Sequence, residues 1–316
     1  MSELGSPVPL PNDLKRDLQR VLLPIMVTGE GGLLRPIGTG FVIGAFGRQA
    51  LMMSAAHNFD EIRALDRPWQ RHHPTSLFYV EEMDAVLRTT HMWASYRADQ
   101  RRAFLARIEK VWISNPLDIA LASIVLSDDV PQDVQFGVRL GIDTRPPAVG
   151  ERIAALGYSG MQADELGSST DYPYSYRVAQ KLESREGRIA EVFATASPTG
   201  QPWPSFRCDV PFDSGMSGGP VVRLSGEEPL VCGLIHADES IDGDDMGRGS
   251  GRNAVAAMLW PSVITPVDVE MDGTEERLSS LLDLIRKGLV DDRGAAHDHV
   301  QIVRNVDGQT TGVGWH

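Results

Sequence analysis

A chain of 316 residues, 42% hydrophobic and 23% charged, has the material for one large globular domain or two small ones, which excludes disorder as its main state. Its 43 acidic and 30 basic side chains give a formal charge of −13, which repels phosphate backbones and anionic lipid, so neither nucleic acid nor a membrane is expected as a partner. Two cysteines are too few for a disulfide scaffold, no apolar stretch approaches a membrane span, and the N-terminus lacks a basic segment followed by an apolar one, so a cytoplasmic chain is expected.

In chain order, Leu14, Leu18, Val21 and Leu22 repeat at helical spacing behind Asn12 and Asp13, which predicts a short amphipathic helix over 12–22. The period then changes. Six β-rich runs follow at 22–28, 37–45, 50–56, 76–80, 108–114 and 118–126. Residues 59–107 differ in character, with charge, three histidines and helix-tolerant runs at 81–88 and 96–106, and read as an insertion between two strands. A polar, proline-containing stretch at 143–150 precedes a second series of strands at 152–158, 174–183, 188–195, 205–210, 220–224, 230–237 and 255–264. Strands at this density without helices between them predict an all-β fold of antiparallel barrels or sandwiches. The chain closes with a helical pattern over 275–290, in which Leu278, Leu281, Leu282, Ile285 and Leu289 recur, and a polar tail over 291–316 expected to be mobile.

Three segments place a reactive side chain in a small-residue or apolar setting. In Ser54-Ala55-Ala56-His57 the histidine ends an apolar strand, and two alanines leave room around its ring. In Asp118-Ile119-Ala120-Leu121 a carboxylate begins an almost wholly apolar run, where a charge is costly unless it is hydrogen-bonded. In Gly215-Met216-Ser217-Gly218-Gly219-Pro220, glycines around a serine permit a tight turn and aim successive N–H groups into one concavity. Singly these are a core histidine, a turn aspartate and a loop. Together, with the first two in one strand series and the third in the other, they supply a base, an orienting carboxylate and a nucleophile at a shared cleft.

These segments resemble those of the chymotrypsin/trypsin-like serine peptidases, in the manner of a bacterial-type, non-secreted member. Ser54–His57 is similar to the family's histidine motif, Asp118–Leu121 to its aspartate motif and Gly215–Pro220 to its nucleophile motif except at one position. Gly38–Ile43 is similar to the strand before the histidine and Val231–Ala237 to the strand after the nucleophile. The resemblance covers roughly 22–265. It implies two antiparallel six-stranded β-barrels, over 22–144 (with the insertion at 59–107) and 145–270, flanked by an N-terminal helical extension at 1–21 and a C-terminal helix and tail at 271–316.

On that resemblance His57, Asp118 and Ser217 form the catalytic triad, and the N–H groups of Gly215 and Ser217 form the oxyanion hole. Ser54 either donates to Asp118, as its matching position implies, or faces water. Pro211, Phe212, Asp213 and His236 fall near the expected substrate pocket; His236 either shapes that pocket, bonds Asp118 from behind or faces the core. Secreted members commonly carry an aspartate before the nucleophile that pairs with a new N-terminus after propeptide cleavage. Here that residue is Met216, so zymogen cleavage is not expected, and the loop must be held by packing or by a protein activator. Cys208 and Cys232 flank the loop; free thiols are expected, with a disulfide the other geometry open.

Other features carry less. His297-Asp298-His299 has metal-ligand residue types without further ligands, and Asp242-Gly243-Asp244-Asp245 lacks the ladder of a calcium loop, so no metal and no cofactor are expected. Trp69, His72 and His73 either roof the site or lie on a solvated excursion. The expected activity is that of a serine endopeptidase acting on protein or peptide substrates; the alternative is a catalytically silent module of the same fold that binds a protein partner through the cleft or the insertion.

Overall fold

The computed structural model describes residues 12–28, 34–60, 70–72, 79–84, 91–97, 103–115, 117–167, 175–195, 203–226, 228–238, 254–267, 280–294, 296–304, 306 and 310–315. After helix α1 (Asn12–Leu18), eight strands form one antiparallel sheet: β1 (Leu22–Thr28), β2 (Leu34–Phe46), β3 (Gln49–Ala55), β4 (Gln70–His72), β5 (Tyr79–Asp84), β6 (His91–Arg97), β7 (Ala103–Asn115) and β8 (Ile119–Leu126). Their order is β4-β5-β7-β6-β1-β2-β3-β8, and β7 pairs with β8 as well, so the sheet curls round an interior of its own. The second series is β9 (Arg152–Gly167), β10 (Ser175–Phe193), β11 (Ser205–Cys208), β12 (Pro220–Arg223), β13 (Leu230–Asp238) and β14 (Ala254–Met258). These six close into a barrel in the order β10-β11-β14-β13-β12-β9.

Alternation along the strands explains the near-continuous apolar runs. On β3, Ala50 and Met52 face the interior of the first sheet, while Leu51, Met53 and Ala55 face a different core shared with Leu156, Tyr158 and Val231 of the second series. On β8, Ala120, Ala122 and Ile124 point inward, and Ile119 and Leu121 point to the shared core. Successive side chains point to opposite faces, so strands buried on both faces need apolar residues at every position. The result is three cores: one inside each half and one between them. The triad candidates stand at the rim of the one between.

Several expectations need correction. The second half is a closed six-stranded barrel; in the first, the β7–β8 pairing joins β6-β1-β2-β3-β8-β7 into a ring of six, and the departure is that β4 and β5 add beyond β7. Parts of the helix-tolerant runs at 81–88 and 96–106 are strand, because β5 and β6 pair with β7. Residues 91–97 belong to the sheet itself, since β6 lies between β1 and β7. The two strands expected at 174–183 and 188–195 are one. Glu183 and Arg185 pair with each other and stay buried, so the charged residues do not interrupt β10. The strand expected to reach 264 stops at Met258, and a 3-10 turn over Trp260–Ile264 begins with Pro261 at its first positions.

At the C-terminal end, the predicted helix is described only as α2 (Leu281–Arg286), whose cap is Ser280 accepting the Asp283 N–H. The tail expected to be mobile carries a hairpin, β15 (Val300–Arg304) and β16 (Thr310–Trp315), that packs Val300 and Trp315 against the barrel core. Ile142 bridges both Val231 and Asp292, which ties the linker and the tail to β13.

Candidate active site

His57 enters the site directly from β3, in a 3-10 turn over Ala56–Phe59. Asp118 stands one residue before β8, the neighbour of β3, so the β3–β8 ladder itself brings the two together. The Ala56 N–H donates to the Asp118 carbonyl at 3.0 Å, and the His57 N–H donates to Asp118 Oδ1 at 3.0 Å. Asp118 is the only non-glycine with positive φ among the described residues, at 50°. That strained conformation persists because the surroundings over-determine it. His57 Nδ1 lies 3.0 Å from Asp118 Oδ2 and 3.2 Å from Oδ1. A second imidazole, that of His236 on β13, places its Nδ1 against the same Oδ2.

The electrostatics follow. Burial pushes the Asp118 carboxyl up, but the bonds from His236 and His57 outweigh it and hold the group at about 2. Burial works against a charged His57; its bond to Asp118 and the carboxylate charge overcome that and raise its pKa above 6.5. A carboxylate ionised at neutral pH therefore fixes a histidine able to hold a proton. With Nδ1 donating to Asp118, Nε2 of the neutral ring is the basic nitrogen.

The turn that carries Ser217 is held from several sides. Gly215 has φ 94°, and a Cβ there would lie 2.8 Å from the Tyr158 carbonyl oxygen. Gly218 has φ 83°, and its Cβ would lie 2.2 Å from the Thr39 carbonyl oxygen and 2.3 Å from Ser54 Oγ. Met216, between them, is fully buried in the barrel core. Thr39 clamps the turn from the other half of the molecule. Its N–H donates to the Ser217 carbonyl at 2.8 Å, its hydroxyl donates to the Gly215 carbonyl at 2.8 Å, and that hydroxyl accepts the Tyr158 N–H at 3.0 Å. The Met216 N–H donates to the Asp213 carbonyl at 3.0 Å. Among the described residues, the Gly215 and Ser217 N–H groups have no hydrogen-bond acceptor.

Ser217 Oγ donates to the His236 carbonyl at 3.0 Å, and among the described residues it makes no hydrogen bond to His57. Ser54 does not support Asp118. Its hydroxyl donates to the Thr39 carbonyl at 2.8 Å and accepts from Asn58 Nδ2 at 3.0 Å, because its side chain points into the seam between the halves. Asn58 also donates to the Ser217 carbonyl at 3.0 Å. Sequence reasoning assigned no role to Thr39 or Asn58; the one available signal is a polar residue beside a motif in an otherwise apolar run.

Of the pocket candidates, Phe212 is buried in the barrel core and Pro211 is half-buried. Asp213 pairs with Arg185, which also bonds Glu183 at 3.1 Å, while Lys181 bonds Glu183 at 2.5 Å. Burial and the neighbouring Glu183 carboxylate raise the Asp213 pKa. The His236 ring packs edge-on against both Trp203 and His57, with centroids 5.2 and 5.4 Å away.

Elsewhere, His297 Nδ1 bonds Asp292 at 3.0 Å, and His299 packs on Trp315. Cys208 and Cys232 are free thiols, both buried. Of His72 only the strand backbone is described; Trp69, His73 and 242–245 lie outside the described residues. No helix is long and apolar enough to cross a membrane among the described residues.

Among solved structures, the chain is similar to the thermostable serine protease AL20 from an extremophilic microorganism, at 13% identity over 77% of this chain and 92% of that one, with a TM-score of 0.44. It is also similar to the HtrA-type protease AlgW with a tripeptide, at 13% identity over 78% of this chain and 58% of that one (TM-score 0.41), and with a decapeptide, at 12% identity over 79% and 64% (TM-score 0.43). No curated protein sequence matches. The family model described as the trypsin-like peptidase domain matches residues 38–234, more than half of the chain and a span that holds His57, Asp118 and Ser217, and the chain belongs to that family.

Proposed function

We propose that the protein is a serine endopeptidase that hydrolyses peptide bonds through an acyl-enzyme, with Ser217 as nucleophile, His57 as base and Asp118 as its orienting carboxylate. The observation that carries this reading is the bond from His57 Nδ1 to Asp118, which leaves Nε2 as the basic nitrogen, in the same matched span as a serine on a turn shaped by Gly215 and Gly218. Ser217 turns its hydroxyl from the His236 carbonyl to His57 Nε2 as substrate binds, and attacks the scissile carbonyl. His57 takes the hydroxyl proton and delivers it to the departing amine; water then repeats the cycle on the acyl-enzyme. The N–H groups of Gly215 and Ser217 receive the oxyanion, a contribution of about 10²–10³ in rate for each donor. The two halves, 22–144 and 145–270, each bring part of the site. The contacts of Thr39, the burial of Met216 and the Arg185–Asp213 pair support a turn that forms without N-terminal cleavage.

A fluorophosphonate probe tests the reading. It should label the protein at Ser217, and Ser217→Ala and His57→Ala should abolish labelling; equal labelling of Ser217→Ala rejects it. A second reading, a silent module that binds a protein partner, is favoured by the resting bond from Ser217 Oγ to the His236 carbonyl. It predicts no labelling of the native chain.

A further inference from the structure

We propose that His57, Asp118 and His236 together bind one divalent transition-metal ion, best matched by zinc, and that this ion shuts the peptidase site. The shutting rests on the peptidase reading above; the binding does not.

A histidine and an aspartate alone give a metal two donors. This chain adds a third on the same carboxylate oxygen. One ligand atom from each of the three residues lies within 4.8 Å of the others. Tetrahedral zinc with bonds of about 2.0–2.2 Å holds its donors roughly 3.3 Å apart. The His57 Nδ1–Asp118 Oδ2 contact at 3.0 Å is near that spacing, and His236 Nδ1 bears on the same oxygen. Two imidazoles and one carboxylate with a fourth position left to water form a donor set typical of zinc, and two nitrogen donors out of three do not favour calcium or magnesium, which take oxygen ligands. The site is not sealed. Side-chain exposure is 33% for His57, 15% for His236 and 9% for Asp118, so an ion approaches from the His57 side while the carboxylate waits behind.

The consequence for chemistry follows from where the protons sit. With both rings neutral and donating to Asp118, each carries its proton on Nδ1. Coordination through Nδ1 moves each proton to Nε2, with no change in ring charge, and sets the ion's double charge against one carboxylate. Nε2 of His57 then bears a hydrogen and has no lone pair for the Ser217 hydroxyl. Metal binding and general-base catalysis use opposite tautomers of one ring, so they exclude each other.

The experiment uses the full chain carrying Ser217→Ala, so that binding is read apart from turnover. Calorimetric titration with zinc and visible spectroscopy with cobalt(II) should give one ion per chain and a tetrahedral spectrum. His236→Gln keeps an N–H that can donate to Asp118 but removes the nitrogen ligand, and should weaken binding at least tenfold. His236→Ala serves as a second variant should the glutamine not fold. A double His297→Ala, His299→Ala variant should bind as before. In chains with Ser217 intact, zinc should block fluorophosphonate labelling, a chelator should restore it, and the His236→Gln chain should resist zinc. No binding, or equal binding in His236→Gln, overturns the proposal and leaves His236 as a positioning residue only. If the native chain binds zinc but is never labelled, the peptidase reading fails and the metal site stands.

Discussion

Thr39 and Ser217 lie on opposite halves of the molecule, and the Thr39 N–H donates to the Ser217 carbonyl at 2.8 Å. The same residue spends its hydroxyl on Gly215 and Tyr158. Thr39→Val keeps the shape and the N–H bond but strips a half-buried carbonyl and a buried N–H of their partner. A loss of about 1–3 kcal/mol in stability is expected, since unsatisfied buried polar groups cost that much each. Fluorophosphonate labelling should slow at least tenfold, and Thr39→Ser should restore most of it. Urea unfolding and labelling kinetics read the two effects separately; an unchanged labelling rate in the valine variant would remove Thr39 from the positioning of the turn.

Gly218→Ala tests the same seam from the other side. Its φ of 83° and the 2.2 Å approach to the Thr39 carbonyl oxygen leave no room for a methyl group. A cost of at least about 2 kcal/mol is expected from the positive φ and the steric overlap together. Gly47, at φ 65° with nothing within 4 Å, is the control: the same change there should cost only the conformational part.

Arg185 is buried against Glu183 and Asp213, beneath the start of the nucleophile turn. Arg185→Met removes the cation and leaves two neighbouring carboxylates. Breaking a buried pair costs about 3 kcal/mol, and the Glu183→Gln, Arg185→Met double change should recover part of it. Thermal unfolding of the three chains checks the expectation; equal melting temperatures would mean that the pair carries no stability.

The pH dependence follows from His57 and Asp118. Burial disfavours a charged His57, but Asp118 outweighs it, so the proton leaves above 6.5. Since the base must be neutral, kcat/KM should rise through a single titration with its midpoint above 6.5, and Asp118→Asn should lower both the midpoint and the plateau. Stability moves in opposite senses at the two groups. The carboxylate, depressed to about 2, contributes roughly 2 kcal/mol above its unfolded value near 4, and this is lost as pH falls through about 2. The raised histidine stabilises the fold below 6.5, and that part is lost as pH rises through its folded value. A rate profile flat from pH 5 to 9 would contradict the assigned base.

The three motifs are legible in the sequence because each sets a polar residue among small or apolar neighbours, a combination that a core rejects unless it is used. What holds them is not legible. Thr39 meets its partner 176 residues away and Asn58 meets Ser217 at a separation of 159. The third group on Asp118, His236, lies 118 residues downstream and is legible only as one of three alternatives, of which the fold makes the bond to Asp118. Strand β10 is misread for a related reason. Arg185 falls between the two expected strands, and it can be buried within one only because the fold pairs it with Glu183 and Asp213.

Cys208 and Cys232 give a last test, of the barrel rather than of the site. They stand on β11 and β13, both buried and both reduced. Burial pushes the Cys208 thiol well above its ordinary range and holds Cys232 at about 12. Only the thiolate reacts readily, so the native chain should resist a thiol reagent at pH 8. Reaction should require opening of the barrel, and its rate should follow unfolding as denaturant is added. Two thiols should appear together once β11, β13 and β14 separate, since these strands are laddered side by side. Rapid reaction of either cysteine in the native protein would show that this part of the barrel opens independently of global unfolding.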